Sequence, residues 1–373
     1  MTLKKILIGG LVVVVAAVAV LAIALGYNAG CGTPRALAPD ASRMQAIMYR
    51  CYGPPAVLRL EQVERPVPAA NELLVEVHAA AANPLDWHYM RGEPYLMRLS
   101  SGLGRPAVQR LGVDFAGTVV AVGPDVTRFK PGDAVFGGAT GAFAEYVTVR
   151  EDRGLALKPP NVTFEEAAAV PIAATTALQA VRDRGQVEAG QKVLVNGASG
   201  GVGTYAVQIA KALGAEVTGV ASTRNLELLR SLGADHVIDY TQENFTEGAQ
   251  RYDVIIDNVG SHSLLAYRRV LESDGIVVMV GSTSKGRWLG PLVRPLMAMF
   301  LSPFVSQQFK PMIAQLKASD MDRLRGLLAA GAVKPEIDRH FDLADVAAAV
   351  TYLETGRARG KVIIDVRRGD AAQ

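Results

Sequence analysis

Val193-Leu194-Val195-Asn196-Gly197-Ala198-Ser199-Gly200-Gly201-Val202-Gly203 decides how this chain is read. Three β-favouring residues enter, a glycine-rich turn follows, and an apolar helix pattern leaves from Val202 to Leu213. Ala198, Gly200 and Gly203 fall on the three small-residue positions of a phosphate-cradling turn, with alanine at the first. A residue without Cβ at Gly200 lets the backbone approach a pyrophosphate. One at Gly203 lets the helix pack close to the sheet. The helix start offers free N–H groups to the phosphates, with Ser199, Gly201 and Val202 completing the cradle.

The neighbouring sequence extends the pattern. Glu216 to Ala221 reads as a strand, Asn225 to Leu232 as a helix and His236 to Ile238 as a strand. Asp253 to Ile256 and Ile276 to Val280 supply two more strands. Strands alternating with short helices predict a doubly wound parallel sheet of the dinucleotide-binding (Rossmann) type. Where an NAD site would carry an acid for the ribose 2′-hydroxyl, the chain reads Ala221-Ser222-Thr223-Arg224. Ser222 and Arg224 are donors suited to a 2′-phosphate, so the expected cofactor is NADPH.

Upstream the punctuation differs. Leu73 to Ala79 and Thr118 to Val122 read as strands, and Lys130-Pro131-Gly132-Asp133 as a turn, which predicts an irregular β-barrel. Thr163, followed by Glu165-Glu166, opens a helix expected to run to Arg182. The chain ends in a strand from Lys361 to Val366. The segment Trp288 to Phe309 is apolar but interrupted by Pro291, Pro295 and Pro303. It reads as core or dimer packing, or as a pocket wall or membrane-facing patch.

Composition sets limits. The chain has 373 residues, half of them hydrophobic, with 39 basic and 36 acidic side chains and a net charge of +3. No basic tract with interleaved aromatics argues for nucleic acid. Two cysteines, Cys31 and Cys51, are too few for a zinc ribbon, although one bridge stays open. Lys4 and Lys5 precede an apolar run from Ile6 to Gly26, long enough for a bilayer, so residues 1–30 read as a membrane anchor or signal. A retained single-pass anchor is the leading expectation. A cleaved or lipidated signal ending near Ala29-Gly30-Cys31, or a buried helix, are the alternatives. Lys4 and Lys5 at one end against Arg35 and Arg43 at the other leave orientation nearly tied.

Further motifs are Asn83-Pro84-Leu85-Asp86, Leu111 to Gly117, Gly233 to Tyr240, Asp257-Asn258-Val259-Gly260 and Arg359-Gly360-Lys361-Val362. With the glycine loop, and in this order, they make the chain from about Met44 to Val366 resemble the medium-chain dehydrogenase/reductase superfamily. Within it the likeness is to zinc-free quinone oxidoreductases and the reticulon-interacting mitochondrial reductases. The resemblance implies a catalytic domain similar to the chaperonin co-factor GroES over 44–165 and a Rossmann domain over 166–309. A C-terminal return over 310–373 completes the first domain.

It further implies cofactor contacts at Thr176, Asn258, Val259, Gly260, Gly360 and Lys361, and Tyr240 beside the adenosine 2′-phosphate. Asn83 and Val113-Asp114 stand where zinc relatives place metal ligands, so no catalytic metal is expected. Without a Lewis acid, an already electrophilic quinone or α,β-unsaturated carbonyl is the expected substrate. Asn83 is the expected donor to a carbonyl oxygen or the cofactor ribose, His88 the expected proton donor, and Asp86 a turn-bonding residue. Rival readings are a 2-enoyl thioester reductase, with Arg91, Arg98, Arg105 and Arg110 forming a basic entrance, and a membrane-bound NADPH-binding scaffold with little turnover. Because NADPH is a cytosolic or matrix metabolite, the catalytic body is expected to face the cytoplasm. A homodimer is a family expectation only.

Overall fold

The computed structural model describes residues 3–34, 36–282, 286–288 and 290–367, with side chains described from residue 11 onward except at 291 and 292. Six parallel strands run in the order His236–Asp239, Glu216–Ala221, Lys192–Asn196, Tyr252–Asp257, Leu271–Met279 and Gln308–Pro311. The order reverses at Lys192–Asn196, and the glycine loop leaves that strand at its carboxyl end. That is the switch point where open α/β sheets hold ligands. Val193 and Val195 pack in a core with Tyr205, Ala206 and Ile209 of the departing helix Gly201–Ala212.

The second sheet is built on Glu72–Ala82. This strand pairs antiparallel with Asp114–Val122, with Tyr146–Arg150 at its start and with Lys361–Asp365 at its end. Ile337–Asp342 lies parallel beside Lys361–Asp365 at one edge. Ala79 to Ala82 are good helix formers, yet they hold the strand because both of its faces are buried there.

The expected helix from Thr163 is interrupted. Thr163 caps it, its Oγ1 accepting the Glu166 N–H at 3.2 Å while the Glu166 carboxylate accepts the Thr163 N–H at 2.8 Å. Pro171 then starts a separate helix, Pro171–Leu178, because its ring suits a first turn and not an interior one. Pro295 behaves differently from expectation: it lies inside a continuous helix, Gly290–Leu301. One face of that helix buries Ala298 against the sheet, while Met297, Met299 and Phe300 are exposed.

The expectation of a single-pass membrane anchor with a cytoplasmic body is overturned. Among the described residues no helix is long and apolar enough to cross a membrane. The apolar run does form a helix, Leu3–Gly26. Its end belongs to the folded body, where Leu25 is buried. Arg98, itself buried, donates Nη1 to the Leu25 carbonyl at 2.9 Å and to the Tyr27 carbonyl at 3.1 Å. A disulfide from Cys31 to Cys51 ties the next segment to the barrel.

Candidate active site

Backbone geometry shapes the glycine loop. Gly197 has φ 73°, and a side chain there would press on Val259. At Gly203 a Cβ would lie 2.2 Å from the Gly197 carbonyl oxygen, so this residue sets helix–loop packing. At Gly200 a Cβ would meet only that same oxygen, at 3.5 Å. The loop therefore presents an open face at the helix start, as a pyrophosphate requires. Ala198 is wholly buried, its N–H bonded to the Val220 carbonyl.

Ser222 and Arg224 follow the adjacent strand Glu216–Ala221, and Tyr240 follows its parallel neighbour, so all three lie at one end of the sheet. Arg224 and Tyr240 are exposed there. Asn225, which the motifs did not single out, ties the region together. Its Nδ2 donates to Ser199 Oγ at 3.0 Å and to Ser222 Oγ at 3.3 Å, linking the glycine loop to the next strand. The Asp239 carboxylate accepts from Thr223 Oγ1 at 2.5 Å and from Thr241. Those hydrogen bonds hold it below the usual carboxylate pKa range.

At the other side of the loop, Asn258, Val259 and Gly260 follow the strand Tyr252–Asp257. The Asn258 N–H and its Nδ2 both donate to the Asn196 carbonyl, at 3.2 and 3.1 Å. Asp257, fully buried, accepts the Val259 and Gly260 N–H groups and pairs with Arg294 Nη2 at 2.7 Å. Arg294 comes from the helix Gly290–Leu301, and sequence spacing carried no sign of it. Thr176 is buried in Pro171–Leu178, with its hydroxyl donating to its own helix at the Ile172 carbonyl. Two buried side-chain oxygens near the loop, Asn225 Oδ1 and Asn258 Oδ1, make no hydrogen bond. Open space at Gly200, unsatisfied acceptors on both sides and cationic Arg224 at the ribose end fit a nicotinamide dinucleotide bearing a 2′-phosphate.

The C-terminal return lies against this loop. Gly360 donates its N–H to the Ser199 carbonyl at 2.9 Å, so that donor is already spent. Lys361 does not reach outward as a cofactor contact would. Its stem lies along Gly201, and its ammonium turns into the barrel, donating to Asn83 Oδ1 at 2.6 Å and to Asp114 Oδ2 at 3.2 Å.

Asn83 caps the helix Pro84–Arg91 and is only 2% exposed. Its Nδ2 donates to Asp114 Oδ2 at 3.0 Å and to the Ala81 carbonyl at 3.2 Å. Both amide protons are thereby engaged, and the expected donation to a substrate carbonyl has none left. Asp86 Oδ2 accepts the Asn83 N–H at 2.7 Å, the turn-bonding role read from its position. Burial raises its pKa to about 7. Burial also raises that of Asp114, and Lys361 and Asn83 oppose the rise.

His88 stands apart from this cluster. Its Nδ1 lies 2.7 Å from the Glu93 carbonyl oxygen, which can only accept, so Nδ1 carries the proton. The ring stacks on Trp87, and burial lowers its pKa. Two of the four arginines already have partners within the chain. Arg98 is enclosed by backbone carbonyls, and Arg91 makes a two-point ion pair with Glu354.

Comparison with known proteins agrees with this architecture. Residues 69–160 match an alcohol dehydrogenase GroES-like domain, and residues 232–364 a zinc-binding dehydrogenase domain. Residues 169–262 match the C-terminal domain of alanine dehydrogenase/PNT. The chain is 36% identical to the 2-methylene-furan-3-one reductase of Solanum lycopersicum, over 87% of this chain and 79% of that protein. It is 32% identical to the mitochondrial NAD(P)H oxidoreductase RTN4IP1 of Mus musculus, over 87% and 89%. The quinone oxidoreductase of Coxiella burnetii superposes with a TM-score of 0.78 at 32% identity, over 87% of this chain and all of that one. The chain belongs to the medium-chain dehydrogenase/reductase superfamily, in its quinone oxidoreductase-like branch, and is an oxidoreductase.

Proposed function

We propose that this chain reduces quinones or α,β-unsaturated carbonyls with NADPH and without zinc. The observation that carries the reading is the Lys361–Asn83–Asp114 cluster. At the positions where zinc relatives place metal ligands, an ammonium holds an amide and a carboxylate at 2.6 and 3.2 Å. That donor set is already saturated by a cation, which argues for a substrate electrophilic without metal assistance. Bound NADPH would supply hydride to an electron-poor carbon or to a quinone.

The chain's own contributions follow. The glycine loop seats the pyrophosphate on its amides, and Ser222 and Arg224 hold the 2′-phosphate. Asn258, through its unsatisfied Oδ1, orients the nicotinamide end. Reduction of an enone adds a hydride and one proton, and His88 is the group proposed to deliver the proton. With Nδ1 committed to Glu93, it can do so from Nε2 only as the imidazolium.

A 2-enoyl thioester is disfavoured because its carrier phosphates would find Arg91 and Arg98 already occupied. The scaffold reading separates by assay. Full chain, NADPH and 9,10-phenanthrenequinone or an enone are mixed, and the nicotinamide absorbance is followed before and after exhaustive chelation. Oxidation that survives chelation supports the proposal. Tight NADPH binding with no turnover on several acceptors would establish the scaffold, and activity lost on chelation and restored by zinc would overturn the metal-free mechanism.

A further inference from the structure

Asp114 is a junction of four chain segments. One oxygen accepts the Ile172 N–H at 3.0 Å, at the start of a helix that packs against the glycine-loop helix. The other accepts from Asn83 at the Asn83–Asp86 turn and from Lys361 on the C-terminal return. Asn83, Asp114 and Lys361 are 2%, 0% and 3% exposed. Lys361 is preceded by Gly360, whose backbone is bonded to Ser199 and bridged to Gly200. One buried ion pair therefore joins the loop expected to seat the cofactor phosphates to the turn that leads to His88.

We infer that Lys361 is a positioning residue: through Asn83 and Asp114 it fixes the glycine loop against the Asn83–Asp86 turn and so sets the alignment of cofactor and substrate. Flexible surface contacts would allow the two parts to slide. A desolvated pair with every strong bond made inside the chain holds one arrangement, because any displacement leaves a buried charge unpaired. Reaction rates respond steeply to such alignment, with a misplacement of about 1 Å costing roughly 10²-fold. The alignment claim rests on the reductase reading, whereas the mechanical link does not.

The test separates position from simple charge balance. Lys361→Met alone strands the Asp114 carboxylate and is expected to destabilise the fold. Lys361→Met combined with Asp114→Asn removes both charges and keeps an acceptor for Ile172. The double variant should fold and bind NADPH within about threefold of the parent. Its kcat should fall by roughly 10- to 100-fold while substrate KM stays within about threefold, and the isotope effect with 4-deuterated NADPH should rise. Parental kcat in the folded double variant would overturn the alignment claim.

Hydrogen exchange, which needs no turnover, is the second readout. Amides of residues 199–203 and 83–86 should exchange faster in the cofactor-free double variant. Unchanged exchange at both would overturn the link itself. Faster exchange in a protein whose parent reduces no acceptor would leave the link standing while the reductase reading fails.

Discussion

Arg224 Nη2 donates to the carbonyl oxygen of Arg357 at 2.8 Å, which brings the guanidinium of the expected 2′-phosphate site onto the C-terminal return. Its other N–H groups make no such bond to Arg357. A charge-assisted hydrogen bond contributes about 1.5–3 kcal/mol. Arg224→Ala should therefore weaken NADPH by roughly 10- to 100-fold and NADH by no more than about twofold. Titration calorimetry with both coenzymes checks this, and equal losses would show that Arg224 does not read the phosphate.

Two glycines of one loop should separate binding from folding. Gly200→Val adds atoms on the open face and is expected to leave the melting temperature near the parent while abolishing binding of both coenzymes. Gly203→Ala drives a methyl into the Gly197 carbonyl at 2.2 Å, so stability falls first, by about 1–3 kcal/mol. Melting curves with and without NADPH distinguish the two. A Gly200→Val protein that still binds would remove the glycine loop from the site.

Asp86 makes stability depend on pH in an unusual direction. Burial lifts its folded pKa to about 7 from the ordinary 3.8. The folded chain thus keeps a proton that the unfolded chain releases above about pH 4. The penalty for burying this group is absent at low pH, grows as pH rises from about 4 to 7, and is constant above. Asp86→Asn keeps an acceptor for the Asn83 N–H and removes the charge. Its stabilisation over the parent should be larger at pH 8 than at pH 5, by an amount on the order of 2–4 kcal/mol. A gain independent of pH, measured by urea denaturation, would contradict the assignment.

His88 as proton donor has its own pH signature. Burial lowers its pKa below the ordinary 6.5, and only the charged ring can donate from Nε2. The value of kcat/KM should climb as pH falls below about 6.5 and level off beneath the folded pKa. In His88→Gln the climb should vanish. If the parent profile is flat or the variant retains the slope, the proton comes from elsewhere.

Much of the cofactor domain was legible because strand, glycine turn and helix are local patterns. The short strands Ala134–Gly138 and Gln308–Pro311 carry no comparable signal, since their stability comes from partners distant in the chain. The same holds at the site. Asn225 and Arg294 act across strands, and nothing in their neighbouring residues announces Ser199 or Asp257 as partners. Lys361 was singled out through resemblance, but its direction depends on Asn83, 278 residues away. The apolar run at the N-terminus shows the limit of hydropathy. Counting residues cannot reveal that Arg98 anchors the helix end to the barrel.

The strand Lys361–Asp365 that completes the barrel leaves a ribosome long after Glu72–Ala82, the strand it pairs with. Until it arrives, the end of Glu72–Ala82 waits with one edge bare, exposed to pairing with other nascent chains. The nucleotide fold lies wholly between these two strands and can form while its companion is unfinished. A truncation ahead of Lys361 would thus leave the six-stranded parallel sheet intact, yet remove both the closing strand and the ammonium that pairs with Asp114.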